Sequence, residues 1–188
     1  MIKIALEEYP QRVELMCDVR PMRSVDGVLL CDFMLGLEPE DFLFIKEQFS
    51  CISLFMDWCL SVDLDCNLPL IALKGESIVA MGIFHQRQGC SKRPIGSLEV
   101  LIDRHHRDIA LEHLLIRSLV ELGKRAGLMR LESQVVGSSS KYDAYRDAGF
   151  YELSRRKDFV EDEQGQCRDS VLLGISFGVG AQASRALN

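Results

Sequence analysis

A chain of 188 residues with 22 basic against 28 acidic side chains is long enough to bury a sizeable core. Its formal net charge of -6 leaves no positive surplus to grip nucleic acid or an anionic membrane surface. No apolar run is long enough to span a bilayer, and the opening "MIKIALEEYP" acquires charge at once, unlike a secretory leader. The expectation is one domain over 1–188, cytoplasmic, with neither nucleic acid nor membrane as partner. The seven cysteines (Cys17, Cys31, Cys51, Cys59, Cys66, Cys90 and Cys167) stand singly. With no C-x-x-C pair they read as reduced thiols packed as small hydrophobes.

In chain order, "RVELMCDVRP" (12–21) has strand composition and stops at Pro21. "SVDGVLLCDFMLGL" (24–37) opens on the capping types Ser24 and Asp26, and its apolar side chains recur at helical spacing. "EPEDFLFIKEQF" predicts a second helix, with Pro39 and acidic residues in its first turn. "ISLFMDWCLSV" reads as a further helical or buried segment. "LPLIALKGESIVAMGIFHQ" is a pair of strands about the turn Lys74-Gly75-Glu76. A polar loop (86–94) leads to a strand over 97–102. The clearest helix runs from Ile109 to Ala126, with Leu111, Leu114, Leu115, Ser118, Leu119 and Leu122 on one face and Gly127 closing it. "LMRLESQVV" is a strand, "SSSKYDAYRDAG" a short helix ending at Gly149, and "FYELSRRKDFV" and "CRDSVLLGIS" two strands about "EDEQGQ". The small, polar tail 177–188 is expected to fray. Helices, a strand meander, then β-α-β-α-β-β predict a mixed α/β sheet of about seven strands flanked by helices.

The stretch "DRHHRDIALEHLL" (103–115) joins the strand "SLEVLI" to the longest helix. Such a turn can hold a phosphate on the unpaired N–H groups and positive dipole end of the helix. With "AYRDAGF", a Tyr-x-x-x-Gly-Phe element, and the opening "VRPMRSVDGVLLCDFMLGLEPEDFLF", this order resembles the GNAT superfamily of acyl-CoA-dependent N-acyltransferases. The likeness spans nearly the whole chain, and the closing hairpin "KDFVEDEQGQCRDSVLL" is similar to that of some bacterial members.

That resemblance implies acetyl-CoA as cosubstrate and an amine acceptor: a small molecule, or a protein lysine or N-terminus. It also implies a possible homodimer. The resemblance further implies that the strand before the turn parts from its neighbour, which would leave Leu101 and Ile102 free to pair with the pantetheine arm. Arg107 and the backbone of Asp108, Ile109, Ala110, Leu111 and Glu112 would hold the coenzyme diphosphate, with Ser138 at the position of a family Asn or Gln. Glu99, two residues from the family's usual acidic position at Ser97, would deprotonate the amine. Tyr145 would face the leaving thiolate. The other readings are a solvated strand carboxylate for Glu99 and a packing residue for Tyr145.

The family pattern at this turn, Arg/Gln-x-x-Gly-x-Gly/Ala, uses glycines because phosphate oxygens come close to backbone. Here Ala110 and Glu112 take those places. A carboxylate about 4 Å from a diphosphate, at an effective dielectric of about 20, repels it by roughly a few kcal/mol, a hundredfold or more in affinity. Alternatively, Glu112 is a dipole partner in the first helical turn. His105, His106, Glu112 and His113 have no metal-ligand spacing, so no metal is expected. Two functions follow from the same residues: an N-acyltransferase, or a non-catalytic module of the same fold whose cleft binds a metabolite or protein.

Overall fold

The computed structural model describes residues 11–12, 17–44, 53, 57, 67–86, 95–107, 109–162 and 164–178. Its strands are β1 (Gln11–Arg12), β2 (Asp18–Pro21), β3 (Asn67–Lys74), β4 (Ser77–Gln86), β5 (Ile95–Ile102), β6 (Arg130–Val136), β7 (Tyr151–Glu161) and β8 (Cys167–Ser176). They form one sheet in the order β1-β2-β3-β4-β5-β6-β8-β7. Every pairing is antiparallel except β5 with β6. Helices α1 (Gly27–Leu35), α2 (Ile109–Arg125) and α3 (Ser140–Asp147) complete the mixed α/β fold. The expected sheet is therefore present, with the two-residue β1 as an added edge.

Two apolar layers hold the sheet. Leu30, Phe33 and Met34 of α1 pack with Ile71, Met81 and Leu101 on one face. Leu115, Leu119 and Leu122 of α2 pack with Leu70, Val100 and Leu131 on the other. Ile78 to Phe84 of β4 is buried without interruption, as a central strand covered on both faces must be. Close packing of β5 against β6 and the chain that leads into it depends on a missing side chain at Gly96. A Cβ on Gly96 would lie 2.6 Å from Leu128 Cδ1 and 3.0 Å from Leu131 Cδ2. Gly96→Ala is expected to destabilise by about 1 kcal/mol through this overpacking, read as a lower urea midpoint at unchanged slope.

Turn chemistry delimits the elements where expected. Gly75, Gly127 and Gly149 all have positive φ, a conformation that side chains with a Cβ avoid; Gly127 ends α2 and Gly149 follows α3. Other expectations need correction. The second predicted helix is a 3₁₀ turn over Pro39–Phe42 followed by a turn at Leu43 and Phe44, and the rest of it lies outside the described residues. So do most of the 52–62 segment, the 86–94 loop beyond Gln86 and the tail beyond 178. The strand predicted for 97–102 begins at Ile95. Of the described cysteines only Cys17 is buried; Cys31 and Cys167 are exposed thiols, because each falls on a solvent-facing position of its element.

The feature that positions the site is the short parallel contact. β5 and β6 pair at Ile95↔Arg130, Gly96↔Leu131 and Ser97↔Glu132 only. Beyond these, β5 stays with β4 as far as Ala80↔Ile102. β6 stays with β8 as far as Val136↔Ser170. Each strand keeps its outer partner, and the inner edges part.

Candidate functional site

A pocket of about 160 Å³ opens where the strands part. Val100 and Ile102 of β5 and Val135 of β6 give it an apolar wall, and Phe44 adds to it. Its polar groups come from five places in the chain: Glu40 and Asp41, Glu99, Arg107 and Glu112, Ser133, and Lys141 with Tyr145. Strand alternation explains how one pocket collects them. Val100 and Ile102 belong to the α2-side core and Leu101 to the α1-side core, so Glu99 shares the α1 side. Glu112 and Tyr145 come from the helices of the other side. The gap joins the two faces.

Asp41 organises the mouth. Its carboxylate is buried, and its Oδ2 accepts from the backbone N–H of Glu38 at 3.0 Å, which closes the 3₁₀ turn. The same carboxylate takes both cations of the pocket: Arg107 Nη2 at 3.0 Å and Lys141 Nζ at 2.7 Å. A second acid, Glu38, lies 3.9 Å from Arg107. Arg107, which the family likeness assigns to the coenzyme diphosphate, is thus already paired across the mouth.

Glu99 and Glu112 are placed differently. Burial pushes the Glu99 carboxyl up to about 7; Lys141 pulls against this rise and Asp41 adds to it. A carboxyl in that range can take a proton at neutral pH and give it back. Glu112 is 5% exposed, and its Oε1 has no hydrogen-bond partner. Burial also raises its proton affinity, opposed by Lys141, His113 and Arg107. Tyr145 is buried, packs edge-on against Phe150 with centroids 5.1 Å apart, and pairs through its hydroxyl with Ser133. Burial, with Glu99 and Glu112 nearby, raises its pKa, so it keeps its proton and acts as a donor.

The pocket therefore gathers Glu99, Ile102, Arg107, Glu112 and Tyr145 from the residues singled out in the sequence. Of the others, none whose side chain is described lines it. The Leu101 side chain packs with the α1-side core. Leu111 is core on the α2 side and faces a separate cavity beside His105 and His106. Ala110 is exposed, Asp108 lies outside the described residues, and so does the Ile109 side chain. Ser138 is on an exposed turn; its neighbours Ser139 and Ser140 line the pocket instead. Among the described residues no three or more metal-ligating side chains gather. His105 N–H and His106 Nδ1 both turn to Asp103 Oδ1, at 2.8 and 3.2 Å. Asp41, Lys141 and Ser133 were not singled out. The nearest signal was the acid three residues after Glu38, a capping arrangement that says nothing of partners 66 and 100 residues away.

Comparison with solved structures places this geometry in a known architecture. A probable acetyltransferase from Staphylococcus epidermidis superposes with a TM-score of 0.70 at 18% identity, over 87% of this chain and 100% of that one. The ribosomal-protein-S18-alanine N-acetyltransferase from Escherichia coli gives 0.68 at 14%, over 92% and 99%. A putative acetyltransferase from Salmonella typhimurium, solved with acetyl-CoA, gives 0.68 at 12%, over 89% and 97%. No family model matches the sequence, and no curated protein is similar to it in sequence. The chain has the fold of the GNAT acetyltransferases.

Proposed function

We propose that this protein is an N-acyltransferase that moves an acetyl group from acetyl-CoA to an amine. The supporting observation is the parting of β5 from β6 with Glu99 and Tyr145 in the same pocket. The amine nitrogen attacks the thioester carbonyl; a C–N bond forms and the C–S bond breaks. The proton lost by the amine passes to Glu99, directly or through water, and from there to solvent. The departing sulfur accepts a hydrogen bond from Tyr145 and leaves as the thiol after taking a proton from solvent. Tyr145→Phe is expected to lower kcat about tenfold with little change in the KM for the amine. The E. coli neighbour acts on a ribosomal-protein alanine, which makes a protein N-terminus one acceptor class alongside small amines and lysines.

The fit to acetyl-CoA is partial. The free inner edge of β5 and the wall of Val100, Ile102 and Val135 suit a pantetheine arm. The turn lacks glycines, Arg107 is held by Asp41, and the Glu112 carboxyl sits inside the pocket. These last observations favour a second reading, a binding module of the same fold with a decayed coenzyme site. Calorimetric titration with acetyl-CoA decides between them: saturable heat supports the transferase, and none at millimolar coenzyme supports the module. If acetyl-CoA binds, Glu112→Gly is expected to tighten it by about tenfold, less than the removal of a full charge would give, because burial raises the proton affinity of Glu112.

A further inference from the structure

We infer that the second cavity, on the β4 side of the turn before α2, binds the phosphate group of a small organic ester through Lys74 and His105. The cleft between β5 and β6 lies on the other side of that turn, so this site is independent of acyl transfer and of the coenzyme.

The cavity measures about 250 Å³, against 160 Å³ for the cleft. Asp103 N–H donates to Val79 O at 3.0 Å and ties the turn to the start of β4, beside the end of the β3–β4 hairpin. The hollow left between hairpin and turn has a buried apolar floor of Cys17, Val79 and Leu111. Lys74, His105 and His106 stand around it. Of the described residues, only Arg107 lines both pockets, and its guanidinium is committed to Asp41 in the cleft.

The first support is sign. In a chain of net charge -6, no carboxylate among the described residues lines this cavity. The acid that precedes the turn, Asp103, is spent elsewhere. Its Oδ1 takes the His105 backbone N–H at 2.8 Å and lies 3.2 Å from His106 Nδ1. Its Oδ2 is pressed against Gly36, where a Cβ would overlap it. Among the described residues Lys74 has no ion-pair partner. A positive group without its own counter-ion attracts an anion.

The second support is donor chemistry. His105 Nε2 accepts from Arg104 Nε at 3.2 Å, so the ring hydrogen is on Nδ1, which is left to donate. The Lys74 ammonium carries three donors. Donors from two separate elements, hairpin and turn, suit a group with several acceptor oxygens and more than one negative charge, which a phosphate has and a carboxylate lacks. The floor completes the class: a bare ion gains nothing from apolar side chains, whereas the carbon part of an ester does. Such a ligand bridges the hairpin and the turn from which Arg107 reaches into the cleft.

The test is calorimetric titration of the full chain at pH 7 with n-butyl phosphate, inorganic phosphate, butyrate and n-butanol. Butyl phosphate is expected to bind saturably, about fivefold more tightly than inorganic phosphate and about tenfold or more above butyrate and butanol. Lys74→Gln and His105→Gln, both at exposed positions, should each weaken it about fivefold or more. Lys124→Gln, which removes the same charge from the last turn of α2, should leave it unchanged. No saturable heat with butyl phosphate, unchanged binding in both rim variants, or an equal loss in Lys124→Gln would overturn the inference. Equal affinity for phosphate and butyl phosphate would overturn the ester. Competition keeps the two sites apart. Butyl phosphate binding that persists at saturating acetyl-CoA supports a site of its own, and displacement assigns Lys74 and His105 to the coenzyme and ends the inference. If acetyl-CoA does not bind, the transferase reading falls and the ester titration decides this site alone.

Discussion

Glu99→Gln is expected to cut acyl transfer by about 10²–10⁴-fold while leaving the protein at least as stable as before. The two effects have one cause. Glu99 has its proton affinity raised by burial, to about 7, against an ordinary value of about 4.5. The folded state therefore holds this proton over a range in which the unfolded chain has released it. The contribution of Glu99 to stability is full below the ordinary value and declines as pH rises toward and past 7. Activity runs the other way, since only the carboxylate can accept the amine proton: it climbs through about 7 and levels off. Glutamine removes both dependences. At pH 8 it should be more stable than the wild type by about 1–3 kcal/mol, in the direction set by this linkage. Chemical denaturation at pH 5 and pH 8, with rate profiles over the same range, tests this. A variant inactive because it unfolds would show the opposite stability change. A wild-type profile flat from pH 5.5 to 8.5 would remove Glu99 as the base.

The second large effect is expected at Asp41. Asp41→Asn leaves Arg107 and Lys141 facing a neutral amide where a buried carboxylate had held both. Because Arg107 is 43% exposed, water takes over much of its pairing, and the main loss falls on the Lys141 side and on the 3₁₀ turn. The expected cost is about 2–3 kcal/mol, or a fall in Tm of roughly 4–12 °C for a chain of this size. Freed from Asp41, Arg107 and Lys141 become available to an anion, so acetyl-CoA should bind more tightly to the same variant. A loss of stability without a gain in coenzyme affinity would show that the Arg107–Asp41 pair does not compete with the diphosphate.

What could be read from the sequence is what local chemistry determines. The hairpin about Gly75, the ends at Gly127 and Gly149 and the apolar face of α2 each depend on a few adjacent residues, and each appears in place. Glu99, two residues past the family's usual acidic position at Ser97, and Tyr145, from the Tyr-x-x-x-Gly-Phe element, could be singled out from local pattern, and both line the pocket. The unread parts are long-range. That β8 inserts between β6 and β7 leaves no mark on either strand's composition. Asp41 looked like an ordinary first-turn acid; its two cations arrive from distant turns, and only the folded sheet brings them together. The 3₁₀ turn over Pro39–Phe42 has the same acids and proline that open an α-helix, so composition could not separate the two. Glu112 was read against a family pattern as a charge at the outer end of α2. Its burial and orphaned oxygen depend on where α2 lands on the parted sheet.

The three-residue seam between β5 and β6 has a mechanical meaning. The sheet behaves as two leaves bound along one short spine, with α2 lying over the join. Spreading the free margins breaks no ladder hydrogen bonds, since each margin is already anchored to its own leaf, by β4 on one side and β8 on the other. A wider gap between the margins therefore leaves the pairing of both leaves intact.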